Sequence, residues 1–292
     1  MCDKDHYDDD LAEFLRRKNL TRRDLGTLAA GVSLAMLLPR AANAVTVTES
    51  DVNIKTPDGT ADAYFVHPSS GAAPGVVVWP DILGLRPAFR AMGKRLAESG
   101  YAVLVINPFY RSKKAPVVAE GASFSDQAVR DSVFKLAGEL NPTTHVTDAK
   151  AFIGWLDQQA AVDKRRKIGT TGYCMGGPMV MRTAAAVPER VGAAATFHGG
   201  GLVSKDENNP AALIPKMKAQ FLIAIADNDD MRDPDAKNVL RAEFDKAKLP
   251  AEIEVYKGSQ HGWCPPDSQV YDKDAAEKAW SRLLVLFGKA LA

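Results

Sequence analysis

Residues 170–177 read Thr-Thr-Gly-Tyr-Cys-Met-Gly-Gly; they follow a short β-type run, Lys167-Ile168-Gly169, and precede a helical stretch over 178–186. The central five, Gly172-Tyr173-Cys174-Met175-Gly176, have the glycine-x-nucleophile-x-glycine form of a strand that turns sharply into a helix. Glycines at both flanks let strand and helix approach closely, so the central side chain projects from a strained backbone into open space. The N–H groups and dipole at the start of the helix stabilise a thiolate there. Cys174 is therefore the expected nucleophile.

The rest of the chain supplies the setting that such a turn needs. Short, continuously apolar runs occur at 75–79, 102–106, 193–197 and 221–225, as expected of parallel strands buried on both faces. Segments with helical spacing lie between them: Phe89, Met92 and Leu96; then Ala149, Phe152, Ile153 and Leu156; and finally Ala276, Trp280, Leu283, Leu284, Phe287 and Leu291. Alternating residues at 45–48, 52–54 and 61–66, with Pro57-Asp58-Gly59 between the last two, predict an N-terminal antiparallel hairpin. The expected fold is a mostly parallel twisted α/β sheet with helices on both faces and its site at the carboxyl ends of the strands. Residues 110–142, the least regular part, are expected to form a loop or cap near that site.

The N-terminus has a different character. Leu20-Thr21-Arg22-Arg23-Asp24-Leu25 precedes an uncharged stretch from Gly26 to Pro39, followed by Ala42-Asn43-Ala44. That order is the layout of a secretory signal, and paired arginines before the apolar region point to the twin-arginine route. The apolar run is shorter than the roughly 20 residues a membrane span needs. The expectation is a signal over 1–44, handled by the twin-arginine translocon and cleaved after Ala44, and a periplasmic domain over 45–292 without a stable membrane anchor. With 37 basic and 36 acidic residues, no net field attracts nucleic acid. Nothing in the sequence calls for a metal or organic cofactor. Cleavage would remove Cys2 and leave Cys174 and Cys264, and two thiols in an oxidising space make a Cys174–Cys264 disulfide the competing account of Cys174. On that account the chain is a non-enzymatic or redox-regulated protein.

In folds built on such an elbow, the partners follow in the order nucleophile, acid, histidine. Of the downstream histidines, His261 lies in a loop before the last helix, whereas His198 ends a strand with no acid-bearing strand end before it; His261 is the expected base. The acid should follow the 221–225 strand, where Asp229 is the choice and Asp227 the alternate. Asp233, before Pro234, reads as a helix N-cap, and Asp227, Asp230 and Asp235 read as solvated if not catalytic. The sequence His198-Gly199-Gly200-Gly201 has the form of an oxyanion motif but lies after the elbow, and is expected to be a flexible loop. The loop over 79–84 has the right position, making the N–H groups of Ile82 and Met175 the expected oxyanion donors.

With these residues in place, the chain resembles the dienelactone hydrolase (carboxymethylenebutenolidase) family of the α/β-hydrolase fold. The resemblance rests on the Pro-Gly-Val-Val-Val strand, the Gly-Tyr-Cys-Met-Gly-Gly elbow, Ala226-Asp-Asn-Asp, the Gln-His-Gly-Trp loop and the Tyr271-Asp-x-Asp-Ala-Ala-x-x-Ala-Trp segment. It implies that a small ester or lactone is cleaved through a thioester on Cys174, with His261 moving the proton and Asp229 orienting the imidazole. It also implies a carboxylate that contacts the resting thiol; here that position holds Asp81, one methylene shorter than the family's Glu. An arginine that binds substrate carboxylate in the family is replaced by Pro265, and Arg111 is the candidate substitute. Asp81, Tyr173, Arg111 and Trp263 are thus the candidate gating or substrate-contacting residues.

Overall fold

The computed structural model describes residues 7–18, 38–39, 44–206 and 208–292. An eight-stranded sheet runs in the order β1-β2-β4-β3-β5-β6-β7-β8. The predicted hairpin is β1 (Val47–Thr56) and β2 (Gly59–Pro68), paired antiparallel; β2 pairs antiparallel with β4 (Ala102–Ile106). From β4 onward all pairs are parallel, through β3 (Gly75–Trp79), β5 (Ile168–Tyr173), β6 (Val191–Phe197), β7 (Gln220–Ala226) and β8 (Ala251–Tyr256). Every residue of β3, β4 and β5 is buried, which is why those stretches carry no polar alternation.

Apolar residues divide between the two faces of the sheet. Val77, Trp79, Leu104, Phe152 and Phe221 belong to one core cluster, and Val76, Val78, Val103, Phe89, Leu283 and Phe287 to the other. Several helices are started by local chemistry. Helix α2 (Pro87–Glu98) opens on proline. Helix α4 (Pro142–Leu156) has Pro142 behind an Asn141–Thr144 capping box, and in α8 (Lys273–Ala290) the Asp272 carboxylate accepts from the Ala275 N–H. Part of the segment expected to be irregular is the helix α3 (Gln127–Ala137), capped by Asp126, whose spacing the loop signals around it obscure.

The expected 1–44 signal falls mostly outside the described residues, including the paired arginines and the apolar stretch. Its described part is chiefly α1 (Tyr7–Lys18), which begins with Asp8, Asp9 and Asp10 in its first turn, where negative charge suits the helix dipole. Among the described residues no helix is long and apolar enough to cross a membrane.

Candidate active site

Strand β5 lies in the middle of the sheet, between β3 and β6, and its carboxyl end is the elbow. Cys174 follows directly with φ +52°, a left-handed conformation that is costly for a residue with a Cβ, and α5 (Gly176–Ala186) begins two residues later. Two flanking glycines explain how the turn fits. A Cβ on Gly172 would lie 2.4 Å from the Gly176 carbonyl oxygen, and one on Gly176 would lie 2.3 Å from that of Trp79. The turn is thereby pressed both on itself and on the loop after β3. The Cys174 N–H donates to the Phe197 carbonyl at 3.0 Å, and its own carbonyl accepts from Gly177 at 3.0 Å.

The Cys174 side chain is covered rather than open, at 3% exposure. It is disulfide-bonded, but not to Cys264. The competing account of Cys174, a Cys174–Cys264 disulfide, is thus corrected: Cys264 is a free, buried thiol whose pKa burial pushes well up. Its side chain lies in the core cluster that also holds Tyr173, Phe197, Ala279 and Leu283.

The residue expected as the acid, Asp229, follows β7 in a short helix, α6 (Asp227–Arg232). Asp229 Oδ2 lies 2.8 Å from His261 Nδ1, and each side chain is about one-fifth exposed. The loop carrying His261 is held by the neighbours of Asp229. The His261 N–H donates to Asn228 Oδ1 at 2.8 Å, and the Gly258 N–H donates to Asp227 Oδ2 at 3.0 Å. Asp227 also receives Lys257, and Asp230 pairs with Lys237 at 2.5 Å. Both are buried structural carboxylates, not solvated ones. Asp233 does not cap the next helix; it ends α6, and α7 (Ala236–Ala247) starts from Asp235 without a side-chain cap.

The end of β3 and the loop after it meet the elbow at Trp79 and Pro80, whose carbonyl oxygens lie closest to a Cβ built on Gly176. Ile82 is 4% exposed, and among the described residues neither its N–H nor that of Met175 has an acceptor. Asp81 does something other than expected. Its carboxylate accepts from the Leu83 N–H and from Arg86 at 2.6 and 3.0 Å, so the group expected to contact the thiol is committed to a buried guanidinium. Arg86 also grips Asp267, at 2.6 and 2.9 Å, and so ties the β3 loop to the loop after His261.

Three other expectations change. Tyr173 points into the core, stacked on Phe197 with ring centroids 5.0 Å apart and packed on Phe89. Trp263 is fully buried, stacked on Tyr256. Arg111 holds Asp148 at 2.7 and 2.9 Å and Asp58 at 2.6 Å, fastening the β1–β2 turn to α4, so its charge is already balanced. The residue missed is His198. It is 1% exposed with φ +42°, its ring lies 5.1 Å from that of His261 and 5.0 Å from that of Trp263, and among the described residues neither ring nitrogen has a hydrogen-bond partner. Burial, followed by the neighbouring His261, drives its pKa well below the ordinary range, so the ring is neutral. Nor is 198–201 a loose loop at its start, since a Cβ on Gly177 would lie 2.6 Å from the Gly199 Cα. The signal in the sequence was a histidine at the carboxyl end of a central strand. Among the described residues no group of three or more His, Cys, Asp or Glu side chains could hold a metal ion.

Comparisons with known proteins agree with this architecture. Residues 61–291 match the model of the dienelactone hydrolase family. A carboxymethylenebutenolidase from Rhodococcus opacus is 25% identical over 249 residues, which covers 81% of this chain and 90% of the relative. Among solved structures, a dienelactone hydrolase-like promiscuous phosphotriesterase from metagenomic libraries superposes with a TM-score of 0.69 at 21% identity, covering 84% of this chain and 99% of the other. A dienelactone hydrolase from Anabaena variabilis gives 0.59 at 16% identity, covering the same 84% and 99%. At those identities the structural likeness concerns the fold, which is the α/β-hydrolase fold.

Proposed function

The chain belongs to the dienelactone hydrolase family, and from that premise we propose that it hydrolyses a small ester or lactone through Cys174, His261 and Asp229. The observation that carries the reading is the 2.8 Å Asp229–His261 contact, held at the strand ends beside an elbow whose cysteine has φ +52°. Reduced Cys174 attacks the carbonyl carbon as a thiolate, and the carbonyl electron pair moves onto oxygen. The Met175 and Ile82 N–H groups, which have no acceptor among the described residues, are suited to receive that oxyanion. His261 gives its proton to the departing alkoxide as the tetrahedral species collapses to a thioester. A water deprotonated by His261 then releases the acid and regenerates the thiolate. Asp229 accepts a hydrogen bond from the Nδ1–H of His261 throughout, which keeps that proton on Nδ1 and fixes the tautomer so that proton transfer runs through Nε2.

The acyl part of the substrate needs no negative charge. Pro265 stands where the family has an arginine, and the guanidinium of Arg111 is spent on Asp58 and Asp148. The reading is tested by p-nitrophenyl acetate hydrolysis by the reduced protein: Cys174→Ala should lose several orders of magnitude in rate, and a rate equal to that of the wild type would sink it.

Export through the twin-arginine route, with cleavage after Ala44 and action in the periplasm, is proposed on the order of charged, apolar and small residues over 20–44. Fractionation of cells with N-terminal sequencing tests this. A periplasmic product beginning at Val45 is expected, while a cytoplasmic product that keeps residues 1–44 would overturn it.

A further inference from the structure

Strand β6 ends as β5 does. In the parallel register Gly172 pairs with Thr196 and Tyr173 with Phe197, so the residues that follow, Cys174 and His198, leave the sheet side by side. Both have left-handed backbone, with φ +52° and +42°. Among the described residues the one other non-glycine residue with positive φ is Lys248, which caps the end of α7. The two turns are locked together: the Cys174 N–H donates to the Phe197 carbonyl at 3.0 Å, the His198 N–H donates to the Ala224 carbonyl at 2.8 Å, and Gly177 lies against Gly199. A left-handed residue with a Cβ costs folding free energy and persists where its surroundings over-determine it, as at functional sites.

The His198 ring is 1% exposed, and among the described residues neither of its nitrogens has a hydrogen-bond partner, a second cost that a phenyl ring in its place would not carry. It is wedged between two rings at steep angles: His261 at 5.1 Å and 66°, and Trp263 at 5.0 Å and 65°. Trp263 is itself fully buried and stacked on Tyr256 at 5.1 Å. A continuous run of rings, Tyr256, Trp263 and His198, therefore connects the core to His261. The Asp229 hydrogen bond fixes the His261 ring at Nδ1 and leaves it free to swing about that point; a ring contact from a second element removes that freedom.

We propose that His198 is a positioning residue for the base: its ring holds the His261 imidazole with Nε2 turned toward the elbow and favours the cationic form that appears when His261 takes a proton. The inference rests on the reading of His261 as the base of the proposed reaction. An aromatic ring attracts a cation held against its face, and the attraction is stronger away from water. Burial, followed by the neighbouring His261, keeps His198 itself neutral, so no second charge opposes the imidazolium. From α6, Asp229 faces His261 with Arg232 4.0 Å from its second oxygen, and from the elbow, by the proposed reaction, Cys174 faces it.

The test uses the reduced full-length chain and two substitutions. His198→Asn removes the ring but suits a left-handed backbone, and His198→Phe keeps a ring while deleting both nitrogens. With p-nitrophenyl acetate, His198→Asn should lower kcat and kcat/KM by about tenfold or more each, and His198→Phe should stay within about threefold of the wild type. NMR titration of His261, in a Cys174→Ala background where no thiolate couples to it, should give an apparent pKa lower by about half a unit or more with His198→Asn and close to the parent with His198→Phe. The titration reads folded protein alone, so a loss of stability, followed separately by urea unfolding, does not imitate it. An unmoved His261 titration in His198→Asn, a rise in KM at unchanged kcat, or a phenylalanine variant as impaired as the asparagine one would each overturn the proposal. Failure of the proposed reaction is distinct: reduced Cys174→Ala would then match the wild-type rate, while the His261 titration would still shift with His198→Asn.

Discussion

Asp229 Oδ2 and His261 Nδ1 stand 2.8 Å apart at the ends of neighbouring strands β7 and β8, joined backbone to side chain by the residue next to Asp229. An amide in place of the carboxylate would keep the size of the group but would no longer enforce the tautomer or balance the imidazolium. Asp229→Asn should therefore lower kcat/KM by about three to four orders of magnitude in the reduced enzyme, with stability nearly unchanged. Steady-state kinetics with a p-nitrophenyl ester, alongside urea unfolding, separates the two effects. A loss below tenfold would remove Asp229 from the proton pathway.

Substrate charge is the next expectation. A carboxylate on the substrate meets no arginine at position 265, and Arg111 is held by two carboxylates. Matched lactones with and without a free carboxylate should differ only a few-fold in kcat/KM. A preference of a hundredfold for the anion, abolished in Arg111→Met, would show that the Arg111 pairs open to receive substrate.

Arg86 gives a stability prediction. Its guanidinium, 7% exposed, balances Asp81 and Asp267 at once, and its loss leaves two largely covered carboxylates without their cation. Arg86→Met should cost about 3 kcal/mol or more in urea unfolding, with Arg86→Lys recovering part of it because lysine supplies charge without the bidentate fork. A cost under about 1 kcal/mol would mean that water replaces the guanidinium at both carboxylates.

The sequence showed the sheet clearly and the site unevenly, for a physical reason. Runs such as 75–79 and 102–106 carry their burial in every residue, so their strand ends are readable from composition alone. The elbow was readable because glycine is the residue that permits its close approaches. What could not be read was the destination of side chains whose partners are distant in sequence. Arg86 meets Asp267 across 181 positions, and its pairing with Asp81, five residues before it, is fixed only once both lie in the loop that this distant contact holds. His198 was set aside because it lies outside the expected chain order, yet β6 delivers it beside His261. Tyr173 and Trp263 looked functional by adjacency to Cys174 and His261, but alternation along a strand and the tight loop at Gly262 send them into the core.

Two glycines should respond in opposite ways. Gly176→Ala would force a Cβ to 2.3 Å from the Trp79 carbonyl oxygen, displacing the β3 loop and the Ile82 N–H with it. Gly154, inside α4, has nothing within 4 Å of such a Cβ. Gly154→Ala should gain about 0.5–1 kcal/mol from helix propensity with activity unchanged. Gly176→Ala should lose both stability and most of the activity. An active, stable Gly176→Ala protein would show that the β3 loop yields without disturbing the site.

His145 makes the pH dependence of stability measurable. The side chain, buried in α4, has its pKa lowered to about 3 by burial, with further contributions from Arg182 and Arg111. In the unfolded chain it titrates near 6.5. Between those values the unfolded state holds the extra proton, so acidification favours unfolding and stability rises with pH across the interval. The slope from this one group is at most about 1.4 kcal/mol per pH unit. Other groups contribute to the total, so the informative quantity is the difference between wild type and His145→Leu, measured by urea unfolding at several pH values. Above pH 7 that difference should be constant. On going from about pH 6 to 4.5 the wild type should lose stability relative to the variant by roughly 1–2 kcal/mol, whereas a difference that stays flat would mean that His145 is protonated in the folded protein and that Arg182, 3.5 Å from its Nδ1, moves away to allow it.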